Sequence, residues 1–205
     1  MHTRKYISLL PLALMAVIGL NLLFAGCGGK SGKTGTDGCL IQGHTDFKEF
    51  TKVYLMDLTR ARLDSASIDS DGKFSLERTD STDKPCVMLV RLTGTPSPYD
   101  DLDMPVAIER GTVTLELGEY IHTSGTPLNS RIQEFLNDLQ SCKDGLTGKE
   151  GVTVEEIQTT FSEFYRQQIL TNKDNAVGRY IFREYGVNLT PDDRELVKAQ
   201  LGAVE

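Results

Sequence analysis

The chain of 205 residues is enough for one ordinary domain or two small ones sharing a core, and its 39% hydrophobic and 25% charged content excludes a disordered polymer. A net charge of −7 excludes binding to nucleic acid or anionic lipid through a general positive field, and the absence of Trp excludes any site built on an indole.

Residues 1–26 read as a leader. Arg4 and Lys5 make a basic start, Ile7 to Leu23 an apolar run broken by Pro11 and Asn21, and Phe24-Ala25-Gly26 sets small residues before Cys27. That order describes a secretory signal. As a membrane span it sits at the lower limit of roughly 18–20 apolar residues, with Asn21 inside it. The cysteine directly after Ala-Gly resembles the lipobox of bacterial lipoproteins, with Phe24 where Leu is usual. The resemblance implies cleavage before Cys27, two acyl chains on its sulfur and a third on the new amine. Gly28 in place of Asp implies the outer membrane, with the protein lipid-anchored there and facing the periplasm. Without Arg4 and Lys5 the remainder carries −9, from 20 basic and 29 acidic residues. Its membrane partner is therefore reached through lipid, and one chain alone would bind only marginally. Residues 27–38 continue as a flexible Gly-rich tether. GKSGKT is not a phosphate loop, because the first glycine of that motif would fall on Cys27 or Phe24.

From Cys39 apolar residues alternate with polar ones. Cys39 to His44, Lys52 to Asp57, Leu63 to Ile68 and Lys73 to Leu76 read as strands, with Asp69-Ser70-Asp71-Gly72 as a hairpin turn between the last two. Cys86 to Leu92 is a continuous apolar run, the pattern of a strand buried on both faces. An acidic loop from Pro96 to Pro105, with Asp100, Asp101 and Asp103, precedes strands at Met104 to Glu109, Thr112 to Leu117 and Tyr120 to His122. The period changes at Gly125-Thr126-Pro127, where Thr126 reads as an N-cap and Pro127 as the first helical residue. Leu128, Ile132, Phe135, Leu136 and Leu139 share one helical face. Lys143 to Gly151 reads as a loop, Thr153 to Glu156 as a capping box, and Asn175 as the cap of a helix from Ala176 to Tyr185 stopped by Gly186. A last helix starts at Thr190-Pro191. The expectation is an α+β protein: an antiparallel β-sandwich or open barrel of about seven strands at 39–125, then about four helices at 126–205.

Three segments carry a further resemblance: Leu63 to Phe74, Ile108 to Val113, and Ser124 to Asn129. They resemble an uncharacterised β module of Gram-negative envelope lipoproteins that commonly precedes a thioredoxin-like thiol–disulfide oxidoreductase domain. Asn172 to Phe182 is similar to the helical connector that follows it. These matches are structural turns, so they imply a fold and no catalyst. No Cys-x-x-Cys occurs, and the resemblance runs out at Glu205, where the thioredoxin-like domain would begin.

Candidate sites are few. Besides Cys27, the candidate thiols are Cys39, Cys86 and Cys142, an odd number that permits at most one internal disulfide, or three small packing residues. Gly72 as position 6 of a calcium loop would put Ser67 at position 1 and Arg78 at position 12, which excludes an EF-hand. The Asp100, Asp101 and Asp103 run reads as a solvated loop rather than a cation site. His44 and His122 lack cysteine neighbours at zinc spacing, and no Gly-x-Ser-x-Gly elbow occurs. Asp64-Ser65-Ala66 and Asp80-Ser81-Thr82 match a short O-glycosylation acceptor pattern. The expected role is a non-enzymatic binding or scaffolding module without metal or cofactor. The alternative is an accessory to periplasmic thiol–disulfide exchange, working with a separate thioredoxin-like partner.

Overall fold

The computed structural model describes residues 38–79, 84–94 and 101–202. Among them, eight strands lead into four helices: β1 Cys39–Thr45, β2 Lys52–Met56, β3 Arg62–Ser67, β4 Lys73–Arg78, β5 Cys86–Thr93, β6 Leu102–Ile108, β7 Gly111–Leu117, β8 Ile121–Ser124, α1 Pro127–Thr147, α2 Val154–Thr171, α3 Ala176–Tyr185 and α4 Pro191–Leu201. The strands form two four-stranded sheets, β4-β1-β7-β8 and β3-β2-β5-β6. The inward sides of both sheets meet in one apolar core that holds Ile41, Leu55, Val90, Val106 and Leu115. A second core lies on the other side of β5 and β6, where Val87, Leu89 and Ala107 meet Ile132, Phe135, Tyr180 and Ile181 of the helices. The order is therefore sheet, sheet, helices, with β5 in the middle layer. That position explains its unbroken apolar run: Met88, Val90 and Leu92 face one core while Val87 and Leu89 face the other.

The eight strands fall on the eight segments read from the sequence, the last of them pairing along its whole length with β7, and three expectations are corrected. The sheets are not wholly antiparallel: β1 runs parallel to β7, from Cys39 opposite Gly111 to Thr45 opposite Leu117. All of the second sheet lies between these two strands in sequence, so no tight turn constrains their direction. Asp69 to Gly72 does not close a hairpin, since β3 and β4 belong to different sheets. The turn is a corner, in which Asp69 Oδ1 accepts the amides of Asp71 and Lys73 while the Thr45 amide donates to the Gly72 carbonyl. Lys143 to Thr147 is the last turn of α1 rather than loop. Gln140 Nε2 donates to Asp144 Oδ1 and Thr147 Oγ1 to the Lys143 carbonyl on either side of Gly145.

The passage from sheet to helix follows from Gly111 and Gly125, with φ of 127° and 101°. A Cβ at Gly125 would stand 2.2 Å from the Thr112 carbonyl oxygen, so only glycine makes this turn. Thr126 and Pro127 open α1 as expected, but the Thr126 side chain does not cap it. Instead the Leu128 amide donates to Glu109 Oε1 at 2.6 Å, placing a carboxylate from the β6–β7 connection at the positive end of α1. Thr153 and Asn175 cap α2 and α3 with their own side chains. Helix α3 ends at Gly186 as expected, with the glycine in a right-handed conformation that continues into a 3-10 turn at Gly186–Asn188. No helix among the described residues is long and apolar enough to cross a membrane.

Candidate functional site

Helix α1 crosses the gap between the β6 and β8 edges, and two of its amides close those edges. Asn129 is wholly buried. Its Oδ1 accepts from the Ala107 amide at 3.0 Å, and its Nδ2 donates to the Ala107 carbonyl at 2.8 Å, as a neighbouring strand would. The same side chain reaches Thr126 Oγ1 and accepts from Thr123 Oγ1. One turn on, Gln133 Oε1 accepts from the Thr123 amide of β8 at 2.7 Å, and its Nε2 donates to the Ile121 carbonyl and to Asn137 Oδ1.

Beyond these seals the elements diverge and leave a cleft of about 820 Å³. Asn137, Gln140, Lys143 and Asp144 line it from α1, and Glu119, Tyr120 and His122 from the β7–β8 turn and β8. Leu89, Met104, Leu136 and Leu139 supply apolar lining. Tyr120 is 79% exposed. At another part of the cleft stand Arg60, Asp103, Tyr180, Glu184 and Tyr185.

Arg60 reaches this position through a left-handed backbone, φ 70°, which is unusual for a non-glycine residue. Asp57 organises the turn: its Oδ1 accepts from the Thr59 amide and hydroxyl and from the Ala61 amide, while the Arg60 amide donates to its carbonyl. The Thr59 hydroxyl, with the Ala61 amide, holds the Asp57 carboxyl below its ordinary range. The guanidinium of Arg60 bridges Asp103 at 2.7 Å and Glu184 at 3.2 Å. Asp103 also receives Arg91 in a bidentate pair at 2.5 and 2.6 Å. Asp103 thus belongs to an ion-pair network and not to a cation site; Asp100 lies outside the described residues. Burial pushes the Tyr180 and Tyr185 phenols up, and Tyr180 also loses by ionising because its hydroxyl bonds to Tyr185. Both stay protonated at neutral pH, as hydrogen-bonding groups rather than bases or nucleophiles.

The other sequence candidates are scattered. Cys27 and Asp80-Ser81-Thr82 lie outside the described residues. Cys39, Cys86 and Cys142 are in no disulfide. Cys39 faces the inter-sheet core and Cys86 packs against its margin. Burial raises the thiol pKa of both Cys39 and Cys142, the opposite of what activates a nucleophilic thiol. Register puts Glu116 opposite both His44 and His122, and His44 Nδ1 approaches its carboxylate at 3.3 Å. No group of three metal-ligating side chains gathers among the described residues. Ser65 is exposed on edge strand β3. Sequence reading missed Asn129, Gln133 and Arg60. Asn129 was detectable as a polar residue three before Ile132, on the buried stripe, whereas nothing local marks Arg60.

No protein-family model and no curated protein matches the chain.

Proposed function

We propose that the protein is a lipid-anchored envelope module that binds its ligand in the cleft between α1 and the β7–β8 turn. The observation that carries the binding reading is the convergence of an apolar lining, polar walls and an exposed tyrosine in one opening of this size. Support for the address comes from the sequence: Ala25-Gly26-Cys27 after an apolar run, then a glycine-rich tether. Cys27 attached to lipid would place the β module and helices at the outer membrane, facing the periplasm. The resemblance to modules that accompany thioredoxin-like domains suggests an envelope protein as a further partner.

Two measurements test this. Palmitate labelling and globomycin-sensitive processing are expected in the wild type and lost in Cys27→Ala; label that persists in the variant overturns the address. For binding, size-fractionated soluble envelope extract is expected to raise the Tm of the wild type and leave Asn137→Trp, in which the cleft wall is filled, unmoved. If no fraction raises the Tm, or both proteins shift alike, the cleft is not a binding site.

A further inference from the structure

The ligand class follows from what the cleft withholds as much as from what it offers. Both sheet edges beside it are closed to a strand. On β6, Asn129 occupies the amide and carbonyl of Ala107. By the alternation of strand hydrogen bonds, the next outward-facing residue is Pro105, which has no amide proton. On β8, Gln133 occupies the Thr123 amide and the Ile121 carbonyl. An extended peptide held by main-chain pairing therefore finds no row of free groups. A strongly anionic ligand fits no better. Arg60 is committed to Asp103 and Glu184, Asp144 accepts from Gln140, and two basic residues face four acidic ones around the opening.

What remains is a set of uncharged side-chain donors and acceptors in the same cleft as a flat, exposed ring. Asn137 accepts from Gln133 through Oδ1, leaving Nδ2 as a donor; Gln140 donates to Asp144 through Nε2, leaving Oε1 as an acceptor. The two stand three residues apart on the α1 wall, so a donor and an acceptor lie side by side. A hydroxyl group both donates and accepts, and matches such a pair. Tyr120 offers an apolar ring face and a polar tip. We infer that the cleft binds an uncharged saccharide, with one sugar ring stacked on Tyr120 and its hydroxyls bonded to Asn137 and Gln140; this rests on the cleft being the binding site.

The test is NMR titration of the mature protein with neutral hexasaccharides (cello-, xylo-, malto-, manno- and chito-), a galacturonate oligomer and an unstructured decapeptide. At least one neutral oligosaccharide is expected to shift the amides of Tyr120, Asn137 and Gln140 in saturable fashion. Tyr120→Ala should weaken that binding about 10-fold or more, and Tyr120→Phe should retain it within about 3-fold, since the ring face carries the stacking. The saccharide assignment is overturned if no neutral oligosaccharide moves these amides, or if Tyr120→Ala binds as tightly as wild type. Cleft shifts with the decapeptide or galacturonate alone overturn the uncharged saccharide and keep the binding cleft. The Tm experiment with envelope extract decides the cleft itself independently.

Discussion

Asn129 uses all four of its hydrogen-bonding positions, two as donor and two as acceptor, in a site with no solvent exposure. Asn129→Ala leaves the Ala107 amide and carbonyl without partners in a buried place and is expected to cost about 2–4 kcal/mol. Chemical denaturation should show the loss as a lower midpoint with an unchanged slope. Glu109 carries less: its carboxylate closes one amide at the start of α1, so Glu109→Ala should lose about 1 kcal/mol in the same measurement. The two residues were not equally legible. Thr126-Pro127 announced a helix start, and the helix starts there, but the Thr126 hydroxyl is taken by Asn129 and the capping carboxylate arrives from 19 residues upstream. A local pattern names the place of a cap. It does not name an acceptor brought by tertiary structure.

At the scale of elements, sequence period was informative wherever an element buries one side. The alternation of β1 and β7 and the stripe of α1 each emerged, because burial on one face writes period 2 or 3.6 into the residues. It was less informative where partnership crosses the fold: β1 beside β7, or β3 and β4 in separate sheets. The contact of α2 with α3 gives a test of a different kind. A Cβ at Gly178 would stand 2.3 Å from the Asn172 carbonyl oxygen. Helix propensity alone says that Gly178→Ala gains up to about 1 kcal/mol. The packing says that the helices must separate, so a loss of about 1–3 kcal/mol is expected. The sign of the Tm change decides between them.

Across the whole molecule, the aromatic cluster of the helical layer sets an alkaline limit. Tyr165 and Tyr185 stack at 4.9 Å, and Tyr180 meets Tyr185 edge-on. Burial, with the neighbouring Tyr185, pushes Tyr165 up to about 12, and burial raises Tyr180 and Tyr185 as well. In the unfolded chain these phenols ionise near 10, so below that both states hold their protons and stability is intact. As pH rises further the unfolded state releases protons first, and stability falls until the native phenols follow. Tm measured from about pH 8 to 11.5 should drop in the upper part of that range, and Tyr165→Phe should drop less steeply. The layered plan has a mechanical consequence too. Gly38 leads directly into β1, which lies between β4 and β7, pairing in register with six residues of one and seven of the other. A pull on the amino-terminal side runs along β1 and loads both ladders in shear, so those bonds must yield together. A pull on the carboxyl-terminal side meets α4, where Val197 is the one fully buried residue, and peels it away turn by turn. Fixed to a surface by the end that precedes β1, the protein would carry load through the two β1 ladders and leave α4 slack.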